Sequence, residues 1–154
     1  MPAPLNDLQS RIGYTFADAS LLEAAMTRQA YLNENAGAGK DSMDALATVG
    51  DAVLGALVVS RLYESGTRDK GTLTTEKIHG VNRDKTRAFA EKFRLETYIR
   101  WGKGEEKNRV WLQGSQAFDT AFEALVGAIF LDTRRSGRDA LAATGQVLDG
   151  LGFF

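Results

Sequence analysis

The chain contains no cysteine in its 154 residues, which excludes disulfides, thiolate metal sites and cysteine nucleophiles. His79 is the single histidine, so a metal site built from several imidazoles is excluded as well. Alternating strand patterns are missing, and so are internal repeats, low-complexity tracts and any linker long enough to divide the chain. No basic-then-apolar leader opens "MPAPLNDLQS", and no apolar stretch reads as a membrane span. The expectation is therefore a cytoplasmic protein with no membrane association, forming one domain over residues 1–154.

What is present is ordinary in amount and uneven in placement. Hydrophobic residues make up 44% and charged residues 25%, as in globular domains generally. The net charge is −1, yet between Arg68 and Arg109 twelve Lys or Arg stand against seven Asp or Glu. A basic middle in an otherwise acidic chain reads either as a phosphate-facing surface or as a set of solvated helix faces.

Apolar residues recur at helical spacing, so the fold class is all-α. "NDLQSRIGY" reads as a helix with Asn6 as its cap and Gly13 as its stop, and Asp18 is placed to cap the next one. A polar, Gly-rich loop over residues 33–42 precedes the longest periodic segment, Met43 to Tyr63. A capped helix starts near Thr72. "RDKTRAFAEKFRL" is amphipathic, with Ala88, Phe89, Phe93 and Leu95 inward. "WGKGEEKNR" reads as a loop made flexible by Gly102 and Gly104. "QAFDTAFEALVGAIFLD" is a second strongly apolar helix, and a last one closes the chain.

Two of these helices carry acid among apolar residues. At about 100° per residue, Asp44 and Asp51 fall within about 20° of one face of a helix that is otherwise apolar all round, the pattern of a central helix. Asp119 and Glu123 are four apart and share a face of the other apolar helix. Gly50 and Gly127 allow close approach of the two, which brings Asp51 near Glu123. Buried carboxylates are costly unless paired, hydrogen-bonded or bound to a cation, and Mg²⁺ suits a few carboxylates plus water. The structural alternative is that Asp51 caps a neighbouring helix or pairs with an arginine such as Arg28.

"GDAVLGALVVSRLY", "KGTLTTEKIHGVN", "YIRWGKGEEKN" and "AFEALVGAIFLD" resemble, in order and spacing, the catalytic domain of the ribonuclease III family. "IGYTFADASLLEAAMT" is similar to that family's opening helices. The resemblance covers about Leu8 to Asp132 and implies the all-α helical fold of the ribonuclease III endonuclease domain. It implies a homodimer that binds double-stranded or structured RNA and cleaves it with Mg²⁺, or with Mn²⁺ in its place. Here it implies a stand-alone domain, with no double-stranded-RNA-binding domain after Phe154.

The family places four carboxylates around its metal. Asp51 and Glu123 match two of them, whereas Ala47 stands at a glutamate position and Thr120 at an aspartate position. Asp44 replaces an acidic residue one turn before Ala47. Thr48 stands where an aromatic packs into the partner protomer, which weakens the dimer, and Arg28 replaces a frequent histidine. Asp44 lies about 10 Å along the helix from Asp51, too far to share one ion directly. Asp119 is nearer in angle, so Asp51, Asp119 and Glu123 are the candidate metal triad. Lys77, Asn82, Lys85 and Lys103 are the candidate contacts to the RNA backbone. The functions in view are an endoribonuclease with a rearranged site, a catalytically inactive RNA-binding or assembly protein of the same fold, and, more remotely, a helical interaction domain with no RNA role.

Overall fold

The computed structural model describes residues 2–79, 83–114 and 116–154. Among these residues the chain forms nine α-helices and no strand. They are α1 (Leu5–Ile12), α2 (Ala19–Ala25), α3 (Gln29–Glu34), α4 (Met43–Glu64), α5 (Lys70–His79), α6 (Arg83–Phe93), α7 (Lys103–Lys107), α8 (Ala117–Arg135) and α9 (Ala140–Gly150). Two 3-10 turns, Leu95–Thr97 and Val110–Gln113, flank α7.

Side-chain caps set several helix starts. The Asp18 carboxylate accepts from the Ser20 N–H at 3.0 Å, Asp69 from the Thr72 N–H at 2.8 Å, and Asp139 from the Ala142 N–H at 3.2 Å. Each satisfies an orphan donor of its first turn. Asn6 is not a cap: α1 begins after Pro4, whose extended backbone starts the helix earlier, and Asn6 lies inside the first turn. Gly13 does end α1, in the left-handed region at φ 71°.

The frame is the crossing of α4 and α8. A Cβ added to Gly50 would lie 1.7 Å from the Glu123 carbonyl oxygen, and one added to Gly127 would lie 2.2 Å from that of Leu46. Backbone therefore touches backbone, an approach that any larger residue prevents. Around this crossing Leu22, Met26, Leu54, Phe122, Leu125 and Ile129 are almost completely buried, and their removal from water is the main stabilising contribution. On α6, Phe89 and Phe93 point inward as expected, but Ala88 is exposed and Ala90 takes the core position.

Length and composition alone would let α4, at 22 residues, cross a membrane, contrary to the expectation from the sequence. In this fold it is the central helix. Its Leu46, Val53, Leu54 and Leu57 face the core.

Asp132, near the end of α8, is 2% exposed and fully satisfied. It accepts from the Tyr14 hydroxyl at 2.6 Å, the Ala17 N–H at 3.0 Å and the Asp18 N–H at 2.8 Å. One carboxylate thus fastens the α1–α2 connection to α8. Burial and the adjacent Asp132 charge push the Tyr14 phenol upward, so it remains the donor.

The segment read as a flexible loop contains α7. Glu105 makes the helix, accepting from the Gly102 N–H at 3.2 Å, while the Arg28 guanidinium holds the same carboxylate at 2.7 and 3.0 Å. Arg28 is therefore committed to Glu105 and is not the partner of Asp51.

Candidate functional site

Asp51, Glu123 and Asp119 surround the glycine crossing. Gly50 precedes Asp51 on α4, and it meets α8 at the Glu123 carbonyl. Asp119 lies one turn before Glu123 on the same helix, in register to face it.

Burial is distributed differently from the sequence-based expectation. Asp51 and Asp44 are both exposed, and Asp119 and Glu123 are half-buried. Asp51 lies on the solvent face of α4, so it does not carry the cost of a buried charge. That cost falls on Glu123. Its carboxyl is pushed up to about 7 from 4.5, first by burial, then by the negative charges of Asp51 and Asp119. Among the described residues no positive charge offsets these effects.

The three carboxylates share an electrostatic neighbourhood without closing into a cage. Among the described residues no group of three or more His, Asp or Glu side chains converges into a metal site. The three are nonetheless coupled electrostatically, since the charges of Asp51 and Asp119 both raise the Glu123 carboxyl. Asp51 is exposed on one helix, and the other two lie half-buried on its neighbour.

The two positions without a carboxylate are occupied structurally. Ala47 is 7% exposed and belongs to the core. The Thr120 hydroxyl donates to the Gln116 carbonyl at 3.1 Å, a bond back to its own helix. Thr48 is exposed and donates to the Asp44 carbonyl at 3.4 Å.

Residues 18–142 match the family model described as ribonuclease-III-like. The chain belongs to the ribonuclease-III-like family. It is 38% identical over 126 residues to Ribonuclease 3 of Oleidesulfovibrio alaskensis, covering 81% of this chain and 54% of that one. With Ribonuclease 3 of Nitratidesulfovibrio vulgaris the identity is 35% over 150 residues, 97% of this chain and 56% of the other. The chain thus spans about half the length of the curated relatives it matches. The nuclease domain of ribonuclease III from Campylobacter jejuni superposes with a TM-score of 0.78 at 23% identity, covering 96% and 97% of the two chains. That likeness confirms the fold, and the structure is described for flexibility in the region involved in its own dimer formation.

On this ribonuclease-III-like frame the basic candidates have different neighbours. Lys77 on α5 is exposed, and its stem packs 3.2 Å from the Cβ position of Gly55, one turn beyond Asp51 on α4. It is the candidate tied to the α4 side of the site. The Lys85 ammonium donates to the Phe153 carbonyl at 3.3 Å and lies 5.6 Å from the Phe153 ring centre, so it is engaged with the C-terminal segment. Lys103 is exposed, with its backbone N–H fixed to the Glu34 carboxylate at 3.0 Å, an anchor on α3 rather than on α4 or α8. Asn82 lies outside the described residues, as does the side chain of His79.

Sequence reasoning missed the role of Glu105, because its partners Arg28 and Gly102 come together only in the fold. It also missed Asp132, whose donors lie more than a hundred positions away in the chain.

Proposed function

We propose that the chain is a ribonuclease-III-like protein acting on double-stranded or structured RNA, with a single Mg²⁺ held between Asp51 and Glu123. One observation carries this reading. Glu123 is half-buried beside the negative charges of Asp51 and Asp119, with no compensating cation among the described residues, and it stands on a frame whose relatives are named for ribonuclease activity. Such a donor set fits an ion that takes one or two carboxylates and completes its sphere with water and phosphate oxygens. It does not fit a symmetric two-ion clamp, since Ala47 and Thr120 supply no carboxylate.

An ion bound there supplies Lewis-acid neutralisation of phosphate charge. The chain's own groups do the rest. Glu123 is ionised above about pH 7 and protonated below it, so divalent binding strengthens as pH rises through that value. Asp51, on the exposed face of α4, leaves the site open to a ligand as wide as a duplex. Lys77 offers a phosphate contact beside it, and duplex RNA is recognised through its phosphates and 2′-hydroxyls rather than its base edges.

The partner we propose is a second copy. Ala45, Ala52 and Ala56 are exposed on one stripe of α4, with Val49 and Val59 partly so and Tyr63 50% exposed. A continuous apolar stripe on a central helix is what a partner would cover. Thr48 borders it.

A second reading has its own support. Ala47 is packed into the core and Thr120 is bonded to its own helix, which favours a protein that binds structured RNA without turnover. Incubating labelled double-stranded RNA with Mg²⁺ or Mn²⁺ separates the two. The nuclease reading expects cleavage by wild type that is lost in the Asp51→Asn, Glu123→Gln double variant. Wild-type cleavage no greater than that of the double variant refutes it. Binding is measured separately, and an affinity independent of salt refutes a phosphate-contacting surface.

A further inference from the structure

We propose that the cleft between α3, α7 and the two 3-10 turns is a binding site for a guanidinium group. It is a cavity of about 460 Å³ whose walls include Tyr31, Glu96, Trp101, Glu106 and Trp111. Among the described residues no lysine or arginine lines it. The Glu106 side chain is exposed and that of Glu96 partly so, and neither carboxylate has an ion pair or side-chain hydrogen bond among the described residues.

The protein already shows, a few ångströms away, how it holds such a group. Arg28 lies over the Trp101 ring, 5.8 Å from its centroid, while its guanidinium donates two hydrogen bonds to Glu105. A planar cation over an indole with a carboxylate at its edge is a favourable combination, because ring quadrupole and carboxylate both attract it. The next layer repeats the components without the cation. Trp111 packs on Trp101 with ring centres 5.0 Å apart, and Glu106 follows Glu105 in the chain. Tyr31 already carries Arg100 over its ring at 4.9 Å, whereas Trp111, with no cation over its ring among the described residues, shares the cavity wall with Glu106 and Glu96. Guanidinium suits this better than ammonium, since its flat, weakly hydrated plane stacks on a ring and presents a fork to a carboxylate. The source is either a small free molecule or an arginine side chain of a peptide.

Trp101 and Trp111 are the two tryptophans of the chain, so intrinsic indole fluorescence reports on this cleft alone. Purified protein is titrated with agmatine, with N-acetyl-arginine amide and with N-acetyl-lysine amide, each against sodium chloride of equal ionic strength. A saturable change is expected with at least one guanidinium probe. Agmatine alone indicates a free small molecule, and the arginine amide indicates a peptide side chain. Glu96→Gln with Glu106→Gln is expected to weaken binding about tenfold, as loss of charge-assisted hydrogen bonds does. Glu106→Gln alone, at an exposed position, keeps the test valid where the double variant does not fold. The proposal is overturned by a change that merely follows salt, by equal affinity for the lysine amide, or by variants that bind as wild type does.

Discussion

Replacing Glu123 with glutamine removes a charge while keeping nearly the same shape, and it tests the electrostatics of the site without RNA. The carboxyl is raised from 4.5 to about 7, which corresponds to about 3 kcal/mol of unfavourable charging in the folded state. The group is only half-buried, so solvent screening reduces this to about 1–2 kcal/mol. The sign follows from linkage. Below pH 4.5 the group is protonated whether folded or unfolded, and the folded state carries no penalty. As pH rises from 4.5 through 7 the unfolded chain ionises first, and stability is lost until the folded-state carboxyl is ionised too. Glu123→Gln is therefore expected to match wild type near pH 4.5 and to exceed it at pH 8. For a domain of this size the gain is a midpoint higher by roughly 2–8 °C. Mg²⁺ reverses the order at pH 8, because an ion that binds only the folded wild type raises its midpoint by mass action. Thermal unfolding followed by circular dichroism, at both pH values with and without Mg²⁺, measures all four conditions. A variant less stable than wild type by the same amount at both pH values would show that Glu123 is a hydrogen-bonding structural group, and the reasoning would fail.

Other perturbations separate frame from site. Asp132→Ala strands the Tyr14 hydroxyl and the Ala17 and Asp18 N–H groups, and we expect a loss of about 2–4 kcal/mol in urea unfolding; a loss under 1 kcal/mol refutes the fastening role. Gly127→Ala drives a methyl into the Leu46 carbonyl and is expected to cost about 2 kcal/mol or more, whereas Gly137→Ala, with nothing within 4 Å of its Cβ position, meets no such contact and loses only the ease of its positive φ. Ala52→Glu places a charge on the exposed stripe of α4, and sedimentation should show a dimeric wild type become monomeric while the unfolding midpoint of the monomer is retained. A wild type that sediments as a monomer at micromolar concentration refutes the second-copy partner.

The sequence disclosed the frame well and the surroundings of the site less well. Met43 to Tyr63 was readable as a long helix because its apolar residues leave no room for strand alternation, and Gly50 and Gly127 were readable as a close crossing because small residues recur where two apolar helices must meet. The exposure of Asp51 was not readable. An apolar stripe of alanine and valine looks like core in one dimension, and only the placement of α8 shows which side of α4 is covered. Lys85 looked like a surface cation because nothing local announces that Phe153 returns to it from the end of the chain. The loop around Gly102 and Gly104 hid a helix for a similar reason, since the carboxylate that caps it is itself held by Arg28 from far upstream.

The glycine crossing also bears on how such a site can change over generations. Because α4 and α8 meet main chain to main chain, their spacing does not depend on the side chains beside the crossing. Carboxylates can be lost there without disturbing the relative position of those that remain. A lineage can therefore drift from active to inactive while keeping the same architecture, and the return path is short. Thr120→Asp, on the half-buried face of α8, restores an acidic group by one substitution, whereas Ala47→Glu must first find room in the core.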